Sequence, residues 1–499
     1  MASDRGMAAA YSPFNTQEDE VAYIHAETRR IEQLITQLHE ERAALLRRLN
    51  VIQSRTTRIP VETLAFILQH ACPAPDFNNR HDFPREVYSS DDDGDSVDIP
   101  ELKPFQLVLG AVSSHWRQVI HSSPRMWDTL SLHIKPHSAR KSAAILRFFL
   151  LNSKTVPFVL SLHFPDIMGP NTPFLVHRSV DDLIIANLPR ITELYLVHPP
   201  RRWHSYTHLL TRLTECSLDL ERHETYNPDK MVKLPQDAPL RRFSLQAALW
   251  RFDADFQLPW LSITSLTLSA IPPDLSVQAF IQCPNLVEFR CFSFSEFLPP
   301  LKPVEITDPL TFNSLEIFEW ETAPTPWSRA LIRCLHLPVL RKMRWNAFRF
   351  NDPNDTHIQA FLHRLPLTLT EVELFPPSHF GYIRDDMNIE HVSLDHCRGQ
   401  DLLSVLRKLK PRWDGKRVIK PLPRLRRLTI GEGDEELDHL DGSYSIAVWE
   451  MLDQRLDPFG FSFCLDMPTV HIEWLPEIRM RLAELSQAGF DVQIIDADS

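Results

Sequence analysis

One short pattern recurs ten times along this chain and constrains its fold more than any other feature: an apolar residue, two of any kind, a second apolar residue, one of any kind, and a third. It occurs at Ile191/Leu194/Leu196, Leu213/Cys216/Leu218, Leu240/Phe243/Leu245, Ile263/Leu266/Leu268 and Leu286/Phe289/Cys291. It continues at Leu315/Phe318/Trp320, Leu340/Met343/Trp345, Leu369/Val372/Leu374, Ile389/Val392/Leu394 and Leu425/Leu428/Ile430. The middle residues are 20 to 36 positions apart, mostly 22 to 29. On an extended strand, residues two apart point to the same side, so the last two apolar residues of each copy face a core and the residue between them faces away. Helix-like stretches such as residues 274–281 and 357–362 fill the intervals. Strand, helix and strand at this spacing predict stacked units, each unstable alone and buried only by its neighbours.

The pattern and its period resemble the leucine-rich repeat. That resemblance implies an α/β solenoid with parallel strands inside and helices outside, although the alternation alone leaves open ten buried strands of another α/β fold. The repeats are irregular. The asparagine or cysteine usual three positions after the last apolar residue is present only at Cys397, so no continuous asparagine ladder is available to hold the turns. Prolines in Leu188-Pro189, Cys283-Pro284, Leu337-Pro338 and Leu422-Pro423 mark helix ends before the next strand. If the strands form one curved sheet, a single concave surface is lined by Tyr195, Ser217, Ser244, Thr267, Arg290, Glu319, Arg344, Glu373, Ser393 and Thr429. Tyr195, Arg290, Glu319, Arg344 and Glu373 are the candidate target-binding residues. Their alternating charge suits a protein or peptide partner and suits a polyanion poorly.

A second signature is split. Arg58-Ile59-Pro60-Val61-Glu62-Thr63-Leu64 precedes, by some fifty residues, His115-Trp116-Arg117-Gln118-Val119-Ile120, which runs on to Ser123-Pro124-Arg125-Met126-Trp127. Pro60 sits where a first-turn proline is tolerated, and Glu62 where a carboxylate meets the positive end of a helix. Leu64, Ile67 and Leu68 recur at helical spacing with Phe66 alongside, and Pro73 stops the helix. A second amphipathic segment places Leu107, Val108, Val112, Trp116 and Val119 on one side. Helices this short cannot bury a core of their own, so their apolar stripes meet either the following domain or a partner.

Together these segments resemble the F-box of fungal F-box proteins, which opens with Leu-Pro-x-Glu-x-Leu and closes with Trp-Arg-x-Ile-Ala-x-x-Pro-x-Leu-Trp. The resemblance implies docking on the Skp adaptor of a cullin-based ubiquitin ligase, with Ile59, Pro60, Leu64, Ile67 and Leu68 as the adaptor-facing set. Ile59 stands where the family has its leading leucine, and Ala111-Val112-Ser113-Ser114 where it often has Val-Cys-x-x. An insertion from Pro73 to Pro104, holding five prolines and the run Asp91-Asp92-Asp93-Gly94-Asp95, is expected to be a disordered loop.

Ahead of the F-box, no proline or glycine interrupts residues 18–54. Ile24, Thr28, Ile31, Ile35, Leu38, Arg42, Leu45, Leu49 and Ile52 follow alternating steps of four and three, a heptad seam with seven of nine positions apolar. Asn15 or Thr16 is placed to cap this helix. The seam serves equally a coiled coil or a helix packed back on its own chain.

Other chemistry is excluded or unsupported. A formal charge of -12 argues against nonspecific nucleic-acid binding, which needs a basic footprint. Residues 143–162, the densest apolar region, are cut by Arg147, Lys154 and Pro157, and no signal-peptide core opens the chain, so neither membrane nor secretion is expected. Seven scattered cysteines without Cys-x-x-Cys point to reduced thiols in the cytoplasm or nucleus. No phosphate-binding glycine loop, nucleophile elbow or zinc-protease motif occurs, and His379, His391 and His396 near Cys397 lack a tight metal spacing. Glu371 and Glu373 fall on the proposed concave face, where contact with a ligand or water suits them better than service as a catalytic dyad. No cofactor or metal is expected, and the chain reads as an adaptor and not an enzyme.

These signals divide the chain into a disordered N-terminus (1–17), a long amphipathic or coiled-coil helix (18–54), an F-box (55–134) with its disordered acidic insertion (73–104), and a leucine-rich-repeat-like substrate-binding solenoid (135–499). The function the F-box resemblance implies is substrate recognition for a ligase of the SCF type, holding a Skp-family adaptor and through it a cullin at one end, and an unidentified protein target at the other. The alternative is a scaffold without ubiquitination that oligomerises through the N-terminal coil.

Overall fold

The computed structural model describes residues 17–53, 55–72, 105–134, 139–164, 178–199, 201–220, 233–246, 257–292, 306–321, 325–346, 356–395, 397–416, 418–431, 439–453, 455, 462–467, 471–488 and 490–495. The loop expected at 73–104 lies outside them, and so does the N-terminal segment 1–17 except for Gln17, which begins the first helix. The chain is mixed α/β, with a long N-terminal helix and one large parallel sheet. It divides into two compact units, Met1–Thr129 with Phe149–Val156, and Leu130–Phe148 with Pro157–Ser499.

The first unit is helical. Helix α1 spans Gln17–Gln53, with Glu18, Asp19 and Glu20 in its first turn, where carboxylates meet the positive end of the helix dipole. Helix α2 spans Val61–Ala71 and begins where the Pro60 carbonyl accepts the Leu64 N–H at 2.9 Å. The second amphipathic segment, expected as one helix, is two: α3 over Phe105–Val112 and α4 over Ser114–Ser122. Ser113 separates them. Its backbone is extended and its hydroxyl accepts the Trp116 N–H at 3.1 Å, an N-cap that starts a new helix instead of continuing the old one.

Leu64, Leu68, Leu109, Val119, Ile120, Met126 and Trp127 form this unit's interior. Trp127 anchors it. Its ring meets Phe149 edge-on at 5.1 Å, and its indole N–H donates to the Ile120 carbonyl at 2.9 Å, so the large ring is buried with its polar atom satisfied. The Arg117 Nε donates to the Gly110 carbonyl at 2.9 Å and the Gln106 side chain to the Met126 carbonyl at 3.0 Å, tying α3 to α4 and to the turn after it.

In the second unit the alternation of the ten copies is realised as ten strands: Ile191–Val197, Glu215–Asp219, Arg242–Gln246, Ser265–Ser269, Glu288–Phe292, Ile317–Glu321, Lys342–Asn346, Glu371–Phe375, His391–Leu394 and Arg427–Ile430. Among the described residues, Thr129–His133 and Phe158–His163 precede them and Ser462–Asp466 and Asp491–Ile495 follow, giving a sheet of fourteen strands. Each of these strands lies beside the one before it in the chain, and every described pairing from Phe158–His163 onward is parallel.

The inward positions, among them Phe243, Leu266, Phe289, Phe318, Trp320, Met343, Trp345 and Val372, are buried. Helices cover that side. Phe280, on the helix Pro273–Gln282, lies 4.4 Å from Phe289 and 4.2 Å from Phe312, and Phe361, on the helix Thr356–His363, lies 5.7 Å from Trp345. Both helices coincide, within a residue or two, with stretches expected from sequence.

The missing asparagine ladder has a backbone substitute. At the entrance of successive strands one carbonyl accepts two amides from the next: Arg241 from Thr264 and Ser265, Thr264 from Val287 and Glu288, Val287 from Glu316 and Ile317, all at 2.8 to 3.1 Å. The series runs on through Glu316, Arg341, Thr370 and Glu390. Side chains add to it, with Asn285 donating to the Leu261 carbonyl and Thr368 to that of Leu340, both at 2.8 Å.

Candidate functional site

The ten residues read as lying between inward positions form one continuous register row. Tyr195 pairs with Ser217, Ser217 with Ser244, Ser244 with Thr267, Thr267 with Arg290, and Arg290 with Glu319. Glu319 pairs with Arg344, Arg344 with Glu373, Glu373 with Ser393, and Ser393 with Thr429. Parallel pairing without a register shift keeps this row on the side opposite the helix-covered core. Rows two residues away flank it, one running through Glu215, Arg242, Ser265, Glu288, Ile317, Lys342, Glu371, His391 and Arg427.

The charges on this face are paired with one another, within a strand for Arg290 and Glu288 and between strands for the rest. Arg290 meets Glu288 at 2.5 Å and Glu319 at 3.8 Å, Arg344 meets Glu373 at 2.7 Å and Asp395 at 3.9 Å, and Lys342 meets Glu371 at 3.5 Å. Arg242 holds Glu215 at 2.7 Å, and Arg427 is paired with Asp466. Neutralisation inside the face is the rule, so the surface presents a lattice of dipolar pairs and not a row of unpaired ions.

Burial sorts the five candidate target-binding residues. Arg290 and Arg344 keep 39% of their side chains exposed and Glu373 keeps 26%. Glu319 and Tyr195, expected on the contact surface, are instead buried, at 5% and 8%. Glu319 is flanked in register by two arginines, and the Tyr195 hydroxyl donates to Glu215 at 2.7 Å, so both support the face from within. Burial of Tyr195 and its bond to Glu215 raise its phenol above the ordinary range. Burial also pushes the Glu373 carboxyl up to about 7, against the pull of Arg344, with Asp395 and Glu319 adding to the rise.

The adaptor-facing set also divides. Ile59 is half-buried, Pro60 exposed, and Ile67 48% exposed. Leu64 and Leu68, at 1% exposure each, belong to the interior of the helical unit, because the i, i+4 pair faces α4 while Ile67 points away. Sequence reasoning gave these three residues one role, since a stripe at helical spacing does not say which edge is covered. Other apolar side chains are also exposed on α2, namely Val61 and Phe66, and on α3, namely Phe105, Leu107, Val108 and Val112.

No family model matches this chain, and no curated protein matches it. Among the described residues, no group of three or more His, Cys, Asp or Glu is arranged to hold a metal ion; His396 lies outside them. Burial pushes the thiols of Cys216, Cys283 and Cys291 up to about 12, which keeps them protonated and poorly nucleophilic at neutral pH. No helix among the described residues is long and apolar enough to cross a membrane.

Proposed function

We propose that the chain is a substrate-recognition subunit of a cullin-based ubiquitin ligase, with Met1–Thr129 carrying an F-box and the large sheet forming an irregular leucine-rich-repeat-like solenoid. The observation that carries this reading is the helix following Ile59-Pro60, which buries Leu64 and Leu68 and leaves Val61, Phe66 and Ile67 exposed. Clustered apolar side chains on short helices mark a protein interface, because a soluble surface gains by covering them. The F-box resemblance names the Skp adaptor as what covers them, and through it a cullin.

Strands added in chain order, the helices Pro273–Gln282 and Thr356–His363 against the buried side, and a polar register row on the other support the solenoid. Such a surface holds a protein target by matched pairs, with Arg290, Arg344 and Glu373 exchanging their present partners for the target's charges. The catalytic contribution is geometric. Holding a target beside a ubiquitin-charged enzyme raises the effective concentration of an acceptor lysine, and requires no cofactor from this chain. The protein then works in the cytoplasm, the nucleus or both, with neither nucleic acid nor membrane as a partner.

Expression of the full chain with a Skp-family adaptor tests the reading. Co-purification as a stoichiometric complex supports it. A chain that purifies free of the adaptor, yet still captures proteins through its sheet, favours the scaffold without ubiquitination.

A further inference from the structure

The described residues of helix α1 are exposed along its length, save the half-buried Glu27 and Ala43. Its seam residues Ile24, Ile31, Ile35, Leu38, Leu45, Leu49 and Ile52 are 45 to 71% exposed, and Val21, one step before Ile24, is also exposed. In heptad terms Val21, Thr28, Ile35, Arg42 and Leu49 occupy a, and Ile24, Ile31, Leu38, Leu45 and Ile52 occupy d. Thirty-seven residues at about 1.5 Å per residue make a rod of roughly 55 Å with one apolar stripe along it. No described part of its own unit packs on that stripe.

Charge selects what can cover it. Two copies running parallel would stack Arg42 on Arg42 in the seam and set Glu27 at g against Glu32 at the facing e position, each unfavourable and the second occurring twice. Two copies running antiparallel bring a against d over nearly the whole helix: Val21 with Ile52, Ile24 with Leu49, Thr28 with Leu45, Ile31 with Arg42, and Ile35 with Leu38. Arg42 then lays its aliphatic stem over Ile31 and keeps its guanidinium in water. On the flanks Glu27 faces Arg48 and Glu32 faces His39, again twice each by symmetry, with no like charges opposed.

We propose that a second copy of this chain covers α1, the two helices forming an antiparallel two-stranded coiled coil. The dimer is independent of the ligase reading, since it uses none of the residues of α2, α3 or the sheet. It places the C-terminal ends of the two α1 helices at opposite ends of the rod, whereas a parallel coil would bring them together.

The sign of one charge reversal separates the arrangements. In the full chain, Glu27→Arg opposes Arg48 of the second copy in the antiparallel coil, and relieves the Glu27–Glu32 repulsion in a parallel one. Sedimentation equilibrium on the purified chain should show a dimer that Glu27→Arg weakens by roughly threefold to tenfold and that Glu27→Arg with Arg48→Glu restores. Thr28→Cys with Leu45→Cys should give a disulfide-linked dimer under mild oxidation, while Thr28→Cys alone and the wild type should not. A monomer at all concentrations, a dimer tightened by Glu27→Arg, or cross-linking by Thr28→Cys alone would each overturn the proposal.

Discussion

Arg344 and Glu373 face each other on adjacent strands, with Arg344 Nε 2.7 Å from Glu373 Oε1. The pair sits in the middle of the open row, half-exposed, with Asp395 on its other side at 3.9 Å. Exchanging the two residues, Arg344→Glu with Glu373→Arg, keeps an ion pair in the same register. Thermal unfolding of the double variant should match wild type within about 0.5 kcal/mol. Arg344→Glu alone gathers carboxylates around Asp395 and Glu373 and should be less stable than either. Because the exchange reverses what a target meets, captured proteins compared by proximity labelling should change; an unchanged set would remove this pair from the binding surface.

Acid should loosen the start of the sheet. His163 is held well below the ordinary imidazole range, at about 4, by burial first and then by His133 and His198. The unfolded chain takes up a proton near pH 6.5 and the folded chain only near 4. The unfolded state therefore binds more protons in that window, and stability falls as pH drops through it. Between pH 7 and pH 4.5 the loss from this group should be on the order of 2 kcal/mol. His163→Asn should flatten the dependence of the urea midpoint on pH by that amount; a variant that loses as much stability on acidification as wild type would show that the imidazole is not responsible.

Leu64 and Ile67 lie on the same helix and should behave oppositely. Leu64→Ala empties a site in the interior of the helical unit and should destabilise it by about 2 to 5 kcal/mol. Ile67→Asp removes an exposed side chain and should leave circular dichroism and the melting temperature of the chain unchanged. Equal melting temperatures for the two variants would contradict the burial of Leu64.

The middle ten strands were legible because three apolar residues at fixed spacing mark both the entry turn and the inward pair. Three of the four outer strands break that signature. Position 157 is proline and positions 460 and 489 are glycine, so the leading apolar residue is missing before Phe158–His163, Ser462–Asp466 and Asp491–Ile495. The fourth, Thr129–His133, has Trp127 as its leading residue, which also belongs to the F-box-like signature. The ten residues between the inward positions fall in one register row, as the period of two requires. Their pairing and burial did not follow, because Glu319 and Tyr195 are buried by neighbours some twenty to thirty residues away along the chain, a relation that single-strand alternation does not encode.

In the function proposed above, the exposed apolar residues of α2 and α3 hold a Skp-family adaptor. The most direct measurement is the affinity of the purified adaptor for the full chain and for its Ile67→Asp and Val108→Asp variants, by titration calorimetry. Wild type should bind, and each variant, placing an unpaired charge in an apolar interface, should lose on the order of 3 kcal/mol, about a hundredfold, with its circular dichroism intact. Wild type that shows no binding, or variants that bind as tightly as wild type, would contradict the account.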